Sequence, residues 1–160
     1  SDSSAMLFYF VFLLNYCHPQ PPVNLISIFI AYFSAQFTVT GPDHPIAASL
    51  GGEAVLPCHL SPRMDAQSME VRWFRSQYSA VVHLYRDGQD QYGEQMPEYR
   101  GRTELIRDHI THGGVSLRIH NIQPSDDGQY KCFFQSNMSY EEALFELQVA
   151  GQGEAEVPGE

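Results

Sequence analysis

A chain of 160 residues is long enough to bury one proper core and too short for two domains of ordinary size. Its hydrophobic fraction of 43% and aromatic fraction of 12% are those of a folded protein and exclude a disordered chain. The formal net charge of −10 argues against nucleic acid as a partner, because a surface that tracks phosphates needs a basic patch or stripe.

The first segment, residues 1–35, has two apolar runs, Met6 to Leu14 and Val23 to Phe33, divided by the breaker-rich Cys17-His18-Pro19-Gln20-Pro21-Pro22. Neither run has the roughly 18 apolar residues that a membrane-spanning helix needs, and each has the length of a signal-peptide core. Export is the expectation, with cleavage after Ala35. No Lys or Arg precedes Arg63, and bulky Phe33 stands three residues before that junction, so an alternative first exon is a second reading of the same segment.

From Gln36 to Ala150 the chain changes character. Short runs rich in Val, Ile, Leu, Phe and Tyr alternate with Gly, Pro, Asp and Ser clusters at the spacing of a β-sandwich. The pattern predicts strands at Phe37–Thr40, Ile46–Leu50, Ala54–Leu60, Met69–Arg75, Val81–Arg86, Thr103–Arg107, Val115–Ile119, Gly128–Gln135 and Ala143–Val149. Alternation assigns the faces: Val115, Leu117 and Ile119 share one side, as do Phe145, Leu147 and Val149, while Ser116, Arg118, Glu146 and Gln148 face away. The last segment, residues 151–160, is rich in Gly and Glu and reads as a flexible acidic tail or linker.

Three cysteines are too few for a disulfide-dense scaffold, and they lie in no CxxC pair or His spacing that suggests zinc. With Cys17 in the leader-like segment, Cys58 and Cys132 are the candidate bridge, whose long loop is worth roughly 4 kcal/mol in chain entropy. The only Trp, Trp73, falls on the predicted strand Met69–Arg75, where an immunoglobulin sandwich packs it against an inter-sheet disulfide. Tyr130 stands two residues before Cys132, as a tyrosine corner requires, within Asp126-x-Gly128-x-Tyr130-x-Cys132. Arg102 and Asp126 resemble the ion pair that closes the bottom of V-type domains. The expected fold is therefore all-β, an immunoglobulin-like sandwich of V type with one inter-sheet disulfide.

Four segments carry a closer likeness: Gln36-Phe37-Thr38-Val39-Thr40-Gly41-Pro42, Leu56-Pro57-Cys58-His59-Leu60-Ser61-Pro62, Glu70-Val71-Arg72-Trp73-Phe74-Arg75 and Glu94-Gln95-Met96-Pro97-Glu98-Tyr99-Arg100-Gly101-Arg102. With Ser125-Asp126-Asp127-Gly128 and Ser139-Tyr140-Glu141-Glu142-Ala143, the domain resembles the butyrophilins over essentially all of residues 36–150. That resemblance implies a type I surface glycoprotein on the extracellular side of the plasma membrane, modulating T cells by contact with a receptor on lymphocytes. Membrane attachment would come from parts outside this chain. Homophilic or structural adhesion, as in related myelin-type V domains, is the alternative.

If Trp73 and Cys132 point inward, then Arg72, Phe74, Lys131, Phe133 and Gln135 point outward on neighbouring strands. Two Phe beside two cations suggest a protein-binding face, with cover by the chain's own loops as the competing explanation for the same side chains. Asn137-Met138-Ser139 is an N-glycosylation sequon in the turn beside that face. Catalytic readings are weaker. His109-x-x-His112 lies in a polar turn without a third ligand, Asp126-Asp127 and Glu141-Glu142 are adjacent carboxylates that face opposite ways on a strand, and there is no phosphate loop or nucleophile elbow. The expectation is a binding module with no catalytic residues, metal, cofactor or small-molecule substrate.

Overall fold

A computed structural model describes residues 37–151. The apolar runs and Cys17 of the expected leader, Gln36 at the expected start of the domain, and residues 152–160 of the expected tail lie outside the described residues. Among the described residues, ten strands form two sheets. They are β1 (Thr38–Thr40), β2 (Ile46–Ser49), β3 (Ala54–Ser61), β4 (Glu70–Phe74), β5 (Val81–Arg86), β6 (Gln89–Gln91), β7 (Thr103–Ile106), β8 (Gly114–Ile119), β9 (Gly128–Gln135) and β10 (Tyr140–Ala150). The smaller sheet runs β1-β3-β8-β7 and the larger β2-β10-β9-β4-β5-β6, the order of a V-type sandwich. Three short 3-10 turns, at Pro97–Tyr99, Ile110–His112 and Pro124–Asp126, punctuate the strands.

Period-2 patterning builds the core. In β3, Ala54, Leu56, Cys58 and Leu60 point in and their neighbours point to solvent. Opposite them in β8, Val115, Leu117 and Ile119 are buried, and β10 adds Phe145 and Leu147. Trp73, Tyr130 and Phe134 fill the space between the sheets. Where β8 begins, the turn needs Gly113: its backbone is left-handed at φ 81°, and a Cβ there would lie 2.8 Å from the Met64 carbonyl oxygen.

Two features differ from the expected strand list. Strand β10 starts at Tyr140, because its register on β9 runs continuously from Tyr140 opposite Gln135 to Leu147 opposite Gly128. Strand β6 was not expected at all, and its residues Gln89, Asp90 and Gln91 are too polar for a hydrophobic pattern to find. The signal is Asp87-Gly88, both at positive φ (56° and 76°), which is the two-residue turn that joins tightly twisted hairpin strands.

The edge strand β2 pairs in parallel with β10, Ile46 opposite Leu147 through Ser49 opposite Ala150, after β1 has paired with β3 in the other sheet. The opening segment of the domain therefore contributes one strand to each layer.

Candidate functional site

The two layers are joined by the Cys58–Cys132 disulfide, from β3 to β9. Trp73, fully buried on β4, sits opposite Cys132 in the strand register, so the indole packs beside the bridge. The Tyr130 hydroxyl donates to the Asp126 carbonyl at 2.7 Å, which ties the start of β9 to the turn before it. Burial and the neighbouring Tyr99 hydroxyl raise the Tyr130 phenol well above its ordinary value, so it remains a donor throughout the working pH range. Arg102 donates to both carboxylate oxygens of Asp126, at 2.8 and 3.0 Å, and to the carbonyls of Glu98, His120 and Asn121. Burial alone would push the Asp126 carboxyl up. The Arg102 hydrogen bonds, the Gln123 N–H and the positive charge of Arg75 outweigh it and hold the group below the ordinary carboxylate range.

Arg75 was missed as a structural residue. It lies just past the end of β4, on the inward side with Trp73 by parity, where a cation has no place in an apolar core pattern. Its guanidinium donates to the Tyr99 and Tyr130 hydroxyls and to the carbonyls of Ser125, Asp127 and Gln129. The same planar group thus braces two tyrosines and the turn between β8 and β9.

The outer face of the larger sheet is built by rows of side chains across β10, β9, β4 and β5. The strand registers put Glu142, Phe133, Arg72 and Leu84 in one row, Leu144, Lys131, Phe74 and Val81 in the next, and Tyr140, Gln135 and Glu70 in a third, with Arg86 3.7 Å from Glu70. A bulge makes this possible at β5: Trp73 pairs with His83 and Phe74 with Val81, so Val82 is an extra residue that turns to the core while Val81 stays outside.

Arg72, Phe74, Lys131, Phe133 and Gln135 are all on this outer face, but the expectation that they meet solvent is corrected for three of them. Arg72, Phe74 and Phe133 are only 2%, 3% and 6% exposed. The cover comes from the chain itself. Tyr78, in the loop between β4 and β5, folds back so that its ring meets Phe74 at 5.7 Å and Phe133 at 5.3 Å edge-on, and Tyr140 meets Phe133 at 5.6 Å from the other side. Arg72 lies over the Tyr78 ring, its guanidinium carbon 3.7 Å from the centroid. It donates to Glu70 at 3.0 Å, to the Tyr78 carbonyl at 3.2 Å and to Glu94 at 3.4 Å. The Tyr78 hydroxyl closes the circuit on Glu70. Strand β4 is thus buried on both sides, a departure from simple alternation that five residues of sequence do not reveal.

What solvent sees is a second tier. Tyr78, Leu144 and Tyr140 are 43%, 55% and 65% exposed, and Gln135 is exposed beside Tyr140. Around them stand Lys131 paired with Glu142 at 2.7 Å, and Arg86 facing Glu70 and Glu94 at 3.7 and 3.9 Å. The arrangement is aromatic at its centre and charged at its rim, over a locked floor. Asn137 is exposed in the turn between β9 and β10, at the end of this face where Tyr140 lies.

The other residues weighed for chemistry have structural surroundings. His109 and His112 are exposed around a 3-10 turn, and no group of three or more His, Cys, Asp or Glu that could hold a metal ion occurs among the described residues. Asp127 accepts from the Val149 N–H at 2.9 Å, and Glu142 is engaged by Lys131. No helix of the described residues is long and apolar enough to cross a membrane.

Comparison with known proteins places these features in a lineage. A family model described as "Immunoglobulin V-set domain" matches residues 41–150. Butyrophilin subfamily 1 member A1 from Bos taurus is 52% identical over 120 residues, 75% of this chain and 23% of that protein. Myelin-oligodendrocyte glycoprotein from Homo sapiens is 54% identical over 117 residues, 73% of this chain and 47% of that protein. This chain therefore spans about a quarter of the one relative and about half of the other. The crystal structure of bovine butyrophilin superposes with a TM-score of 0.72 at 52% identity, over 74% of this chain and 56% of that one. The human B7-H4 IgV-like domain does so with a TM-score of 0.65 at 29% identity, over 74% of this chain and all of that one.

Proposed function

This chain belongs to the immunoglobulin V-set family, with a butyrophilin-like V domain, and we propose that it modulates T-cell responses by contact between its larger sheet and a protein receptor on lymphocytes. The reading makes it a binding module of the extracellular surface, reached through the secretory pathway, and not an enzyme. The observation that carries it is the two-tier outer face. Exposed Tyr78 and Tyr140 rest on buried Phe74 and Phe133, exposed Leu144 stands beside Lys131, and Arg72 is fixed by Glu70, Glu94 and the Tyr78 ring. Aromatic side chains whose rotamers are already held lose little entropy when a partner covers them, and a charged rim selects the partner.

The test is binding of the purified domain to lymphocytes, measured by flow cytometry, for the wild type and for a Tyr140→Ala/Leu144→Ser double variant. Loss of staining at unchanged thermal stability supports the face, and undiminished staining overturns it. One observation favours a second reading, homophilic adhesion: the face presents Lys131 and Arg86 as well as Glu142 and Glu94 around its apolar centre, so two copies can complement each other. Concentration-dependent association in the ultracentrifuge that the double variant abolishes, with no lymphocyte staining, would favour adhesion.

A further inference from the structure

The sequon at Asn137 lies in the turn between β9 and β10. Asn137 itself is exposed. The third sequon residue is not free in the same way. The Ser139 hydroxyl oxygen is buried and makes no hydrogen bond among the described residues. The turn is closed by Ser136. Its N–H donates to the Ser139 carbonyl at 2.9 Å, and its hydroxyl oxygen accepts from the Met138 and Ser139 N–H groups at 3.2 Å each. Asparagine-linked transfer needs the Ser hydroxyl as well as the Asn amide in reach of the transferring enzyme, so the closed turn offers only half of the recognition element.

The hairpin that holds the turn also holds the bridge. Cys132 is five residues before Asn137 in β9 and faces Ala143 of β10 in the register. Once Cys132 is bonded to Cys58 on β3, β9 is fixed against the other sheet and β10 has its template. We propose that Asn137 carries an N-linked glycan added only before the β9–β10 hairpin closes, so that occupancy is set by a race against formation of the Cys58–Cys132 disulfide.

The chemistry of both competitors balances. Transfer breaks the bond between the anomeric carbon of a lipid-pyrophosphate-linked oligosaccharide and its pyrophosphate, and forms the bond from that carbon to Asn137 Nδ2. The amide proton goes to a base of the enzyme and the lipid pyrophosphate leaves with the electron pair. Bridge formation oxidises two thiols to one S–S bond and reduces a disulfide oxidoreductase of the lumen by two electrons. The glycan would stand beside exposed Tyr140, at one end of the outer face, and leave Leu144 and the β5 side open to a partner.

The inference rests on the export half of the function proposed above, and the experiment separates the two. The full chain, led into the endoplasmic reticulum of cultured cells, is analysed by glycosidase-sensitive mass shift together with thiol trapping, for the wild type, Asn137→Gln and Cys58→Ala/Cys132→Ala. The expected result is one glycan on the wild type, none on Asn137→Gln, and higher occupancy both in the double-cysteine variant and in wild type labelled during brief dithiothreitol treatment. Folded, unglycosylated chain mixed with detergent-opened microsomes and the lipid-linked donor should stay unmodified, while the same chain reduced and unfolded is modified. A disulfide-bonded wild type without any shift overturns the site while leaving the surface reading intact. Equal occupancy with and without the bridge, or efficient modification of the folded chain, overturns the timing.

Discussion

Arg75 reaches from the end of β4 to Tyr130 near the start of β9, donating to its hydroxyl at 3.2 Å while the guanidinium carbon stands 4.4 Å from the ring centroid. The tyrosine corner is therefore supported from two sides, by the Asp126 carbonyl that accepts its hydrogen bond and by the cation that covers its face. Replacing Arg75 by Ala strands the three carbonyls it serves as well as the two phenols. The expected loss is about 2–3 kcal/mol by urea unfolding. Lys keeps the charge but not the fork, so Arg75→Lys should recover less than half of that loss.

The Arg102–Asp126 pair makes an acid-side prediction with a definite sign. The folded carboxyl sits below its unfolded value, so its contribution is complete above the ordinary carboxylate range and is lost as pH falls through about 4 toward the depressed folded value. Stability of the wild type should fall over that window. Asp126→Asn should be less stable by about 3 kcal/mol at neutral pH, since it leaves a buried guanidinium half paired, and should show a flatter acid limb. Urea midpoints measured from pH 7 to pH 2 check both statements, and parallel limbs for the two proteins would contradict the assignment.

Phe74 and Phe133 behave as core residues beneath the exposed tier. Alanine at either position should cost about 3 kcal/mol, the range for a buried Phe, and any loss of partner binding will follow from that. Tyr140→Ala and Leu144→Ser should change stability by no more than about 0.5 kcal/mol. Thermal melts of the four single variants are sufficient to separate floor from surface.

Removal of both bridge cysteines should destabilise the domain by roughly 4 kcal/mol, from the loop-entropy estimate for a closure of this length. Comparison of Cys58→Ala/Cys132→Ala with the wild type in urea checks the size of the effect. A loss much smaller than this would mean that packing around Trp73 already constrains the open chain.

Most of the fold was legible because its determinants are local or periodic. Alternation in β8 and β10 assigns the core face residue by residue, and the Cys, Trp and Tyr spacing joins the sheets. The outer face was legible in direction only: parity says that Phe74 and Phe133 leave the core, but not that Tyr78 returns from the loop to cover them. Arg75 was obscured for a similar reason. Its five partners come from two stretches far from it in the chain, Tyr99 and residues 125–130, and only the closed sandwich assembles them. Strand β6 has no apolar stripe to read, although its Asp-Gly turn marks the hairpin.

The parallel pairing of β2 with β10 gives the domain a mechanical direction. Thr38 lies at the pole where β3 ends and Ala150 at the pole where β3 begins, so tension between the two ends of the sandwich runs along the strands. Such a pull shears the β2–β10 and β1–β3 ladders, whose hydrogen bonds share the load and must rupture together, whereas a perpendicular pull would unzip them singly. Force along that axis would load the opening segment before it reached the disulfide-locked centre.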